Sequence, residues 1–300
     1  MTADHQKKRA LVLEGGGMRS AYVAGALLAF HELGNTRFDV IIGTSAGACC
    51  AVNFLVGHPE YNQFVLEEHL ASERFIKFGN VLTPKNIVDV DYLLDECFDT
   101  FDKIQDHLKN SHTKLFITTT NCSNGEPIFM DASKENIREA LRASCAMPYL
   151  YRKKVYRSGN RVIDGGLSSS IPIRKAMEEG CDEIFVVCSR PQGYRKKPNS
   201  WGWINHLAFP KYPHLARALW YRDRAYNADL DLLENPPQGV EIVAIRPKEK
   251  LPVSRVTRDR IKVRRGIQQG FYDAYQILTG RSFVYESGET SDGLPSKLSI

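Results

Sequence analysis

Ser45 is the side chain whose surroundings most clearly suggest chemistry. It stands at the centre of residues 43–47, Gly-Thr-Ser-Ala-Gly, which fit the pattern G-x-S-x-G. A β-branched apolar run precedes this pentapeptide and an apolar, small-residue segment follows it, which predicts a strand, a turn and a buried helix. Such a turn exposes the serine oxygen, and nucleophilic acyl transfer is the reaction expected of it. The alternative is that Ser45 only caps the helix.

Asp164 is the second candidate. It ends the predicted strand Arg161–Ile163 and is followed at once by Gly165 and Gly166, so it should lie at a carboxyl strand end on a tight turn. Asp-Gly is also the commonest turn dipeptide, and taken alone Asp164 is more simply a turn residue. Because a serine nucleophile needs a base, the pairing with Ser45 favours the functional interpretation.

The identity of the base leaves two alternatives. In the chain order Ser…Asp…His of an α/β-hydrolase triad, the histidine would be His206 or His214. Both follow Asp164 in an irregular, Trp- and Pro-rich region with no strand leading to them. We therefore expect Asp164 to act directly as general base, with a histidine base as the rival mechanism.

The three consecutive glycines Gly15, Gly16 and Gly17 follow a predicted strand and precede a predicted helix. Neighbouring parallel strands present their carboxyl ends at one edge, so this loop should meet Ser45 there. Its free amides would suit an oxyanion hole. Arg19 would add positive charge nearby, or would be a solvated residue of the first helical turn. A nucleotide site is disfavoured, since Ser20 replaces the third glycine of G-x-G-x-x-G and no Gly-Lys-Ser/Thr follows.

The remaining pattern predicts alternating strands and helices, hence a parallel sheet. The expected strands are Ala10–Leu13, Val40–Ile42, Lys114–Thr120, Pro127–Met130, Glu183–Cys188 and Gly239–Ile245. Expected helices include one starting at Thr83-Pro84, one over Ser133–Cys145 with Ser133 as its cap, and one over Val256–Leu278. The aromatic segment Pro59–Phe78 is predicted to be a helical lid or wall, and Ser287–Ile300 a loose terminus.

Four motifs, in order and spacing, closely resemble those of bacterial patatin-like phospholipases. They are Gly15-Gly16-Gly17-Met18-Arg19, Gly43-Thr44-Ser45-Ala46-Gly47, Arg142-Ala143-Ser144 ending in Pro148, and Asp164-Gly165-Gly166. The resemblance covers residues 9–189 and leaves 190–300 as a C-terminal extension. One departure is Ser20, where the family often has glycine.

The resemblance implies a three-layer α/β/α fold with a mostly parallel sheet. It also implies a Ser45–Asp164 dyad, an oxyanion hole formed by the glycine loop, and a lipid acyl hydrolase acting through an acyl-enzyme without metal or organic cofactor. The runner-up is a catalytically silent lipid- or protein-binding module on the same fold. The lipid class, the positional preference and the oligomeric state do not follow from the sequence.

Composition sets wider bounds. The 300 residues are 43% hydrophobic, enough for one large core, and the formal net charge of +5 neither requires nor excludes an anionic partner. No apolar run approaches the length of a signal-peptide core or a membrane span. The seven cysteines lack C-x-x-C spacing, which favours a reducing, cytoplasmic compartment and disfavours a zinc site.

The segment Arg190–Arg224 interleaves basic and aromatic residues, including all three tryptophans. This mixture suits the anionic inner face of a membrane, where rings lie at the headgroups and cations meet phosphate. The alternative is that the rings pack on the core while the charges face water. Nucleic acid would accept the same mixture, but it is not an expected partner.

Overall fold

The central element is one mixed sheet. The computed structural model describes residues 7–96, 98 and 100–281, and within them eight strands pair into that sheet. The strands are β1 Arg9–Leu13, β2 Val40–Thr44, β3 Lys114–Asn121, β4 Pro127–Asp131, β5 Val155–Arg157, β6 Asn160–Asp164, β7 Glu183–Val187 and β8 Glu241–Ile245. Their order is β5-β6-β3-β2-β1-β7-β8, with β4 also paired to β3. The five neighbouring strands β3, β2, β1, β7 and β8 are parallel to one another. The pairings β3–β4, β3–β6 and β5–β6 are antiparallel.

Helices connect and cover the strands. In the described residues they are α1 Ser20–Glu32, α2 Ala46–Leu55, α3 Glu60–Phe64, α4 Val90–Glu96, α5 Phe101–Asn110, α6 Ile137–Cys145, α7 Ile173–Glu178, α8 Ile204–Ala208, α9 Pro213–Trp220, α10 Arg222–Glu234 and α11 Arg260–Thr279. A π-helical stretch, Val65–Leu70, continues α3. None of these helices is both long and apolar enough to cross a bilayer.

The sheet is buried on both faces, which explains why its parallel strands are continuously apolar. Along β1, Leu11 and Leu13 belong to the core that α1, α2 and α11 complete. Ala10 and Val12 point the other way, into a second core built with α7 and α10. The sheet thus separates two helical layers, and the predicted three-layer α/β/α fold is confirmed.

Helix α11, late in the chain, packs directly against α1, early in it. A Cβ on Gly25 would collide with the carbonyl oxygen of Ile267, and one on Gly270 would collide with the carbonyl of Tyr22. The backbones can approach this closely only because glycines occupy the crossing. The Tyr22 hydroxyl also donates to Asp273 at 3.0 Å. With β8 paired to β7, the residues beyond 190 therefore share the sheet and the core of the preceding ones.

Two predicted helix starts were wrong. Thr83-Pro84 lies in a turn, and α4 begins only at Val90, because the amides of Ile87 and Val88 both donate to the Leu150 carbonyl instead of entering a helix. The helix predicted from Ser133 begins at Ile137. The Asn136 side chain caps it by accepting from the Glu139 amide, while Ser133 bonds to Asp131. The predicted loose terminus Ser287–Ile300 lies outside the described residues.

Candidate active site

Ser45 occupies the strained turn between β2 and α2. Its φ of 54° and ψ of −128° are rarely adopted by a residue with a side chain, so the surrounding structure must hold it there. A Cβ on Gly43 would lie 2.5 Å from the Ala48 Cα, and one on Gly47 would lie 2.7 Å from the Glu14 carbonyl oxygen. Both glycines of the G-x-S-x-G pattern are therefore required by backbone packing.

The Ser45 hydroxyl donates to the Asp164 carboxylate, with 2.7 Å between Oγ and Oδ2. Asp164 is the last residue of β6, which runs antiparallel to β3. It pairs with Thr119 near the carboxyl end of β3, and this places its carboxylate at the same edge of the sheet as Ser45. The turn that follows is tight, because a Cβ on Gly165 would collide with the Thr118 carbonyl. The two residues that the sequence paired across 119 positions are thus in direct contact.

Asp164 is almost completely buried, and burial raises its pKa above the ordinary value of 3.8. Opposing that effect, its other oxygen accepts the Gly166 amide at 2.7 Å, and the charges of Arg222 and Arg255 favour the ionised form. The carboxylate is thereby poised to take up a proton more readily than an exposed aspartate.

The glycine loop lies against the same turn. Gly17 adopts a φ of 56°, and a Cβ there would lie 2.6 Å from the Arg255 carbonyl oxygen, which also accepts the Met18 amide at 3.1 Å. The Gly15 amide donates to the Ser170 carbonyl at 3.2 Å, so its hydrogen is already used and the expectation that Gly15 is an oxyanion donor is wrong. The Gly16 and Gly17 amides have no acceptor within the part of the chain that the structure describes.

Ser144 has a role that the sequence did not reveal. Its fully buried hydroxyl accepts the Ser45 amide at 2.8 Å and donates to the Thr118 carbonyl at 2.6 Å. It therefore fastens the strained turn to β3. The resemblance quoted Ser144 as part of a motif, but nothing in its local sequence assigns a function, because both partners are remote in the chain.

Arg19 is buried beside the glycine loop, where its Nε donates to the Ser189 hydroxyl at 3.1 Å. Burial lowers its pKa to about 10, against the opposing charge of Glu14. That carboxylate in turn accepts from Ser189 and from the Tyr226 hydroxyl. The solvated alternative for Arg19 is therefore wrong, whereas the positive charge expected near the serine stays a prediction.

Comparison with known proteins identifies the fold and motifs. Residues 11–177 match the profile of the patatin-like phospholipase family. The chain belongs to this family. Residues 212–279 match a second profile, a domain of unknown function designated DUF6363. This patatin-like chain therefore has a second recognisable segment, which contributes α9, α10, β8 and α11.

Two relatives span most of the chain. The uncharacterised protein YjjU of Escherichia coli K12 is 26% identical over 249 residues, covering 81% of this chain and 69% of its own. YqhO of Bacillus subtilis 168 is 27% identical over 213 residues, covering 62% and 72%. Among solved structures, VipD from Legionella pneumophila superposes with a TM-score of 0.51 at 15% identity, covering 91% of this chain and 67% of that one. That likeness concerns the fold.

An apolar cavity of about 70 Å³ opens beside the serine of this patatin-like chain. Its walls include both Ser45 and Cys49, and the predicted wall segment Pro59–Phe78 supplies much of the rest. Apolar lining residues are Val65, Leu66, Leu70, Phe75, Val90 and Leu93. Such a lining suits an alkyl chain.

A polar recess adjoins the other side of the dyad. It is lined by the glycine loop, Ser45, Asp164, Arg222 and Arg255. Neither arginine was a sequence candidate, because both come from the C-terminal part and only folding brings them to the loop. In the described part of the chain, no group of three or more His, Cys, Asp and Glu side chains could hold a metal ion.

Proposed function

We propose that the protein is a lipid acyl hydrolase in which Ser45 is the nucleophile and Asp164 the general base. The 2.7 Å hydrogen bond between them, on a strained strand–turn–helix, carries this proposal. Family membership supports it at the coarser level of a lipid hydrolase. The adjoining apolar cavity supports an acyl group as the part of the substrate that enters.

The reaction would take two steps. Asp164 accepts the Ser45 proton as Oγ attacks the ester carbonyl, and the amides of Gly16 and Gly17 stabilise the oxyanion, at about 3 kcal/mol per donor. The protonated Asp164 then gives its proton to the departing alcohol, leaving an acyl-enzyme. Water activated by the same carboxylate releases the fatty acid. The raised pKa of Asp164 makes it a better base for the hydroxyl than an ordinary aspartate would be.

The rival histidine mechanism lacks geometric support. His206 is exposed and meets the Trp220 ring edge-on, and His214 is exposed on α9. Neither lines the apolar cavity or the polar recess. We therefore expect both His→Ala variants to hydrolyse esters at the wild-type rate.

Labelling with a fluorophosphonate ester tests the nucleophile directly. We expect a covalent adduct on Ser45, located by peptide mass spectrometry, that is absent in Ser45→Ala and strongly slowed in Asp164→Asn. His206→Ala and His214→Ala are the matched controls and should label normally. An undiminished adduct in Asp164→Asn would remove that residue as the base. A correctly folded protein that gives no adduct at all would be the catalytically silent binding module.

We further propose that the surface around α8 docks on an anionic membrane. Trp201 is 68% exposed and Leu207 71% exposed, and Trp203 and Ile204 beside them are also exposed. Their neighbour Tyr149 joins α8 to the loop 146–151, which borders the apolar cavity, through a 3.0 Å hydrogen bond to Asn205. Rings and aliphatic groups presented together at a site entrance suit the headgroup layer of a bilayer.

The segment Arg190–Arg224 also contributes side chains to the core. Part of it therefore fits the membrane interpretation and part fits the packing interpretation. Phe209, Leu215 and Leu219 are buried, whereas Lys197, Lys211 and Arg217 are exposed. Co-sedimentation with vesicles tests the docking face. We expect binding that increases with anionic lipid, decreases with salt and is weakened in Trp201→Ala/Leu207→Ala, but unchanged in the remote surface variant Lys103→Gln. Binding indifferent to lipid charge, salt and these substitutions would contradict the proposal.

A reducing, cytoplasmic location belongs to the same proposal. All six cysteines of the described residues are free, including Cys49 and Cys145, whose sulfurs lie only 3.7 Å apart. Neighbouring thiols that stay reduced are typical of a reducing compartment. Fractionation of cells that produce the protein checks the location.

A further inference from the structure

The polar recess beside the dyad has an excess of positive charge. Arg222 and Arg255 line it together with Ser45 and Asp164, and the Lys196 side chain is close enough for both arginines to add to the effect of burial on its pKa. Both arginines lie beyond residue 177, where the patatin match ends. The C-terminal part of the chain therefore supplies the charge of a recess whose reactive groups come from the N-terminal part.

Neither Arg222 nor Arg255 has a carboxylate partner at ion-pair distance within the described part of the chain. Elsewhere in the C-terminal part, by contrast, Arg195 and Arg246 both pair with Glu234. Among the described residues, the Arg222 side chain donates to the Gly166 carbonyl at 3.0 Å, and its buried Nε finds no acceptor there. A buried, unsatisfied charged donor is costly, and an anion bound in the recess would supply the missing acceptor.

Electrostatics point in the same direction. Burial and then the charges of Arg222 and Arg255 lower the pKa of Lys196 to about 6, and burial followed by Arg255 lowers the pKa of Arg222. The protein thus relieves the crowding of positive charge by favouring loss of a proton. An anion in the recess would relieve it instead.

The recess and the apolar cavity meet at the nucleophile. Gly17, Ser45, Met147 and Arg255 belong to the walls of both. A substrate whose ester carbonyl lies at Ser45 would extend its acyl chain into the cavity and its alcohol portion into the recess. The anionic group must therefore lie within a few bonds of the ester, on the alcohol side.

We propose that Arg222 and Arg255 form an anion subsite that receives a phosphate group on the alcohol portion of the ester substrate. This inference rests on the proposed function and deepens it by naming the residues of this chain that select esters of a phosphorylated alcohol. Two guanidinium groups match the tetrahedral oxygens of a phosphate and present several donors to them. The subsite gives the DUF6363 segment a specificity-determining role, because Arg222 and Arg255 both fall within it.

Two short-chain substrates that differ only in the phosphate test this assignment. Hexanoyl-glycerol-3-phosphate and hexanoyl-glycerol remain monomeric, so membrane docking does not enter the comparison. We expect wild type to prefer the phosphate ester in kcat/KM. The ratio of the two kcat/KM values should fall tenfold or more in Arg222→Gln and in Arg255→Gln, mainly through KM, and recover in part in Arg222→Lys. Lys103→Gln, an exposed change on α5, is the control and should keep the wild-type ratio.

Inorganic phosphate distinguishes a substrate headgroup from free phosphate. If the subsite serves the substrate, phosphate inhibits hexanoyl-glycerol hydrolysis less in the arginine variants than in wild type, and the two esters differ as above. If phosphate raises the melting temperature of wild type while both esters are hydrolysed equally well, the recess takes the free ion only and the proposal is overturned. An equal loss on both esters in Arg222→Gln and Arg255→Gln would assign the arginines a merely structural role and overturn it too.

Failure of the proposed function would be seen separately. A wild type that hydrolyses neither ester and gives no fluorophosphonate adduct refutes the hydrolase. Calorimetry with Ser45→Ala still judges the subsite in that case, since it needs no turnover. Tighter binding of the phosphate ester than of the neutral ester, lost in Ser45→Ala/Arg222→Gln, supports the subsite, and equal affinities overturn it.

Discussion

Replacing Ser144 with alanine removes the hydroxyl that fastens the Ser45 turn. The change leaves two fully buried backbone groups without partners, the Ser45 amide and the Thr118 carbonyl. An orphaned buried group costs about 1–3 kcal/mol. Taking the lower half of that range for each of the two groups, we expect the free energy of unfolding to decrease by about 2–4 kcal/mol.

The same substitution should slow catalysis. The turn holds Ser45 at a φ of 54°, a conformation that costs about 1–3 kcal/mol and relaxes once its anchor is gone. A displacement of the reacting oxygen by about 1 Å can reduce turnover by about a hundredfold. We expect kcat on a soluble ester to fall by about tenfold to a hundredfold, with little change in KM, because the apolar cavity is untouched.

Denaturant unfolding and steady-state kinetics on the same preparations measure both effects. The midpoint should shift without a change in m-value, since the exposed area on unfolding stays the same. Ser72→Ala is the control, because Ser72 donates to the nearby His69 carbonyl in a half-buried, local turn remote from the dyad. It should lose less than about 1 kcal/mol and keep its kcat. A Ser144→Ala protein with wild-type midpoint and kcat would refute the anchoring argument, and wild-type kcat with a shifted midpoint would confine Ser144 to stability.

Three further outcomes follow from the geometry. Asp164→Asn should lower kcat by about 10²–10⁴, yet melt at a higher temperature than wild type at pH 7. The pKa of Asp164 is higher in the folded than in the unfolded protein, where it is near 3.8. The wild-type free energy of unfolding therefore decreases as the pH rises from the unfolded pKa through the folded pKa. Below the unfolded pKa, the melting temperatures of Asp164→Asn and wild type should converge. Gly47→Ala should destabilise strongly in chemical denaturation because its Cβ would lie 2.7 Å from a backbone oxygen, whereas Gly79→Ala, with open space around it, should not; equal midpoints would contradict the packing argument. Tyr226→Phe removes a 2.9 Å bond to buried Glu14 and should cost about 1.5–3 kcal/mol, and an unchanged midpoint would show that bond to be energetically silent.

Local patterns predicted the secondary-structure elements that form the candidate active site. The apolar run before Ser45 became β2 and the small-residue segment after it became α2, because a parallel strand buried on both faces leaves a continuous apolar signal. Asp164 was found by its position at a strand end before two glycines. The collisions that a Cβ would make at Gly43 and Gly47 explain why that part of the pattern is so informative.

Features set by remote contacts were missed or misread. The Gly15 amide donates to the Ser170 carbonyl, 155 positions later in the chain, and nothing in the sequence of the glycine loop predicts this hydrogen bond. Thr83-Pro84 has the composition of a helix start. The amides of Ile87 and Val88, which a helix there would need, donate instead to the Leu150 carbonyl. Arg222 and Arg255 became visible as site residues only once folding had placed them beside Asp164.

The Arg255 carbonyl that accepts the Met18 amide has a consequence for the order of biosynthesis. Translation produces the serine early and its carboxylate partner later, but the peptide group that clamps the glycine loop comes later still. A nascent chain that contains Ser45 but not yet Arg255 therefore lacks the contact that shapes the glycine loop. Under the proposed mechanism, hydrolysis would therefore begin only after Arg255 has been synthesised and has folded against the glycine loop.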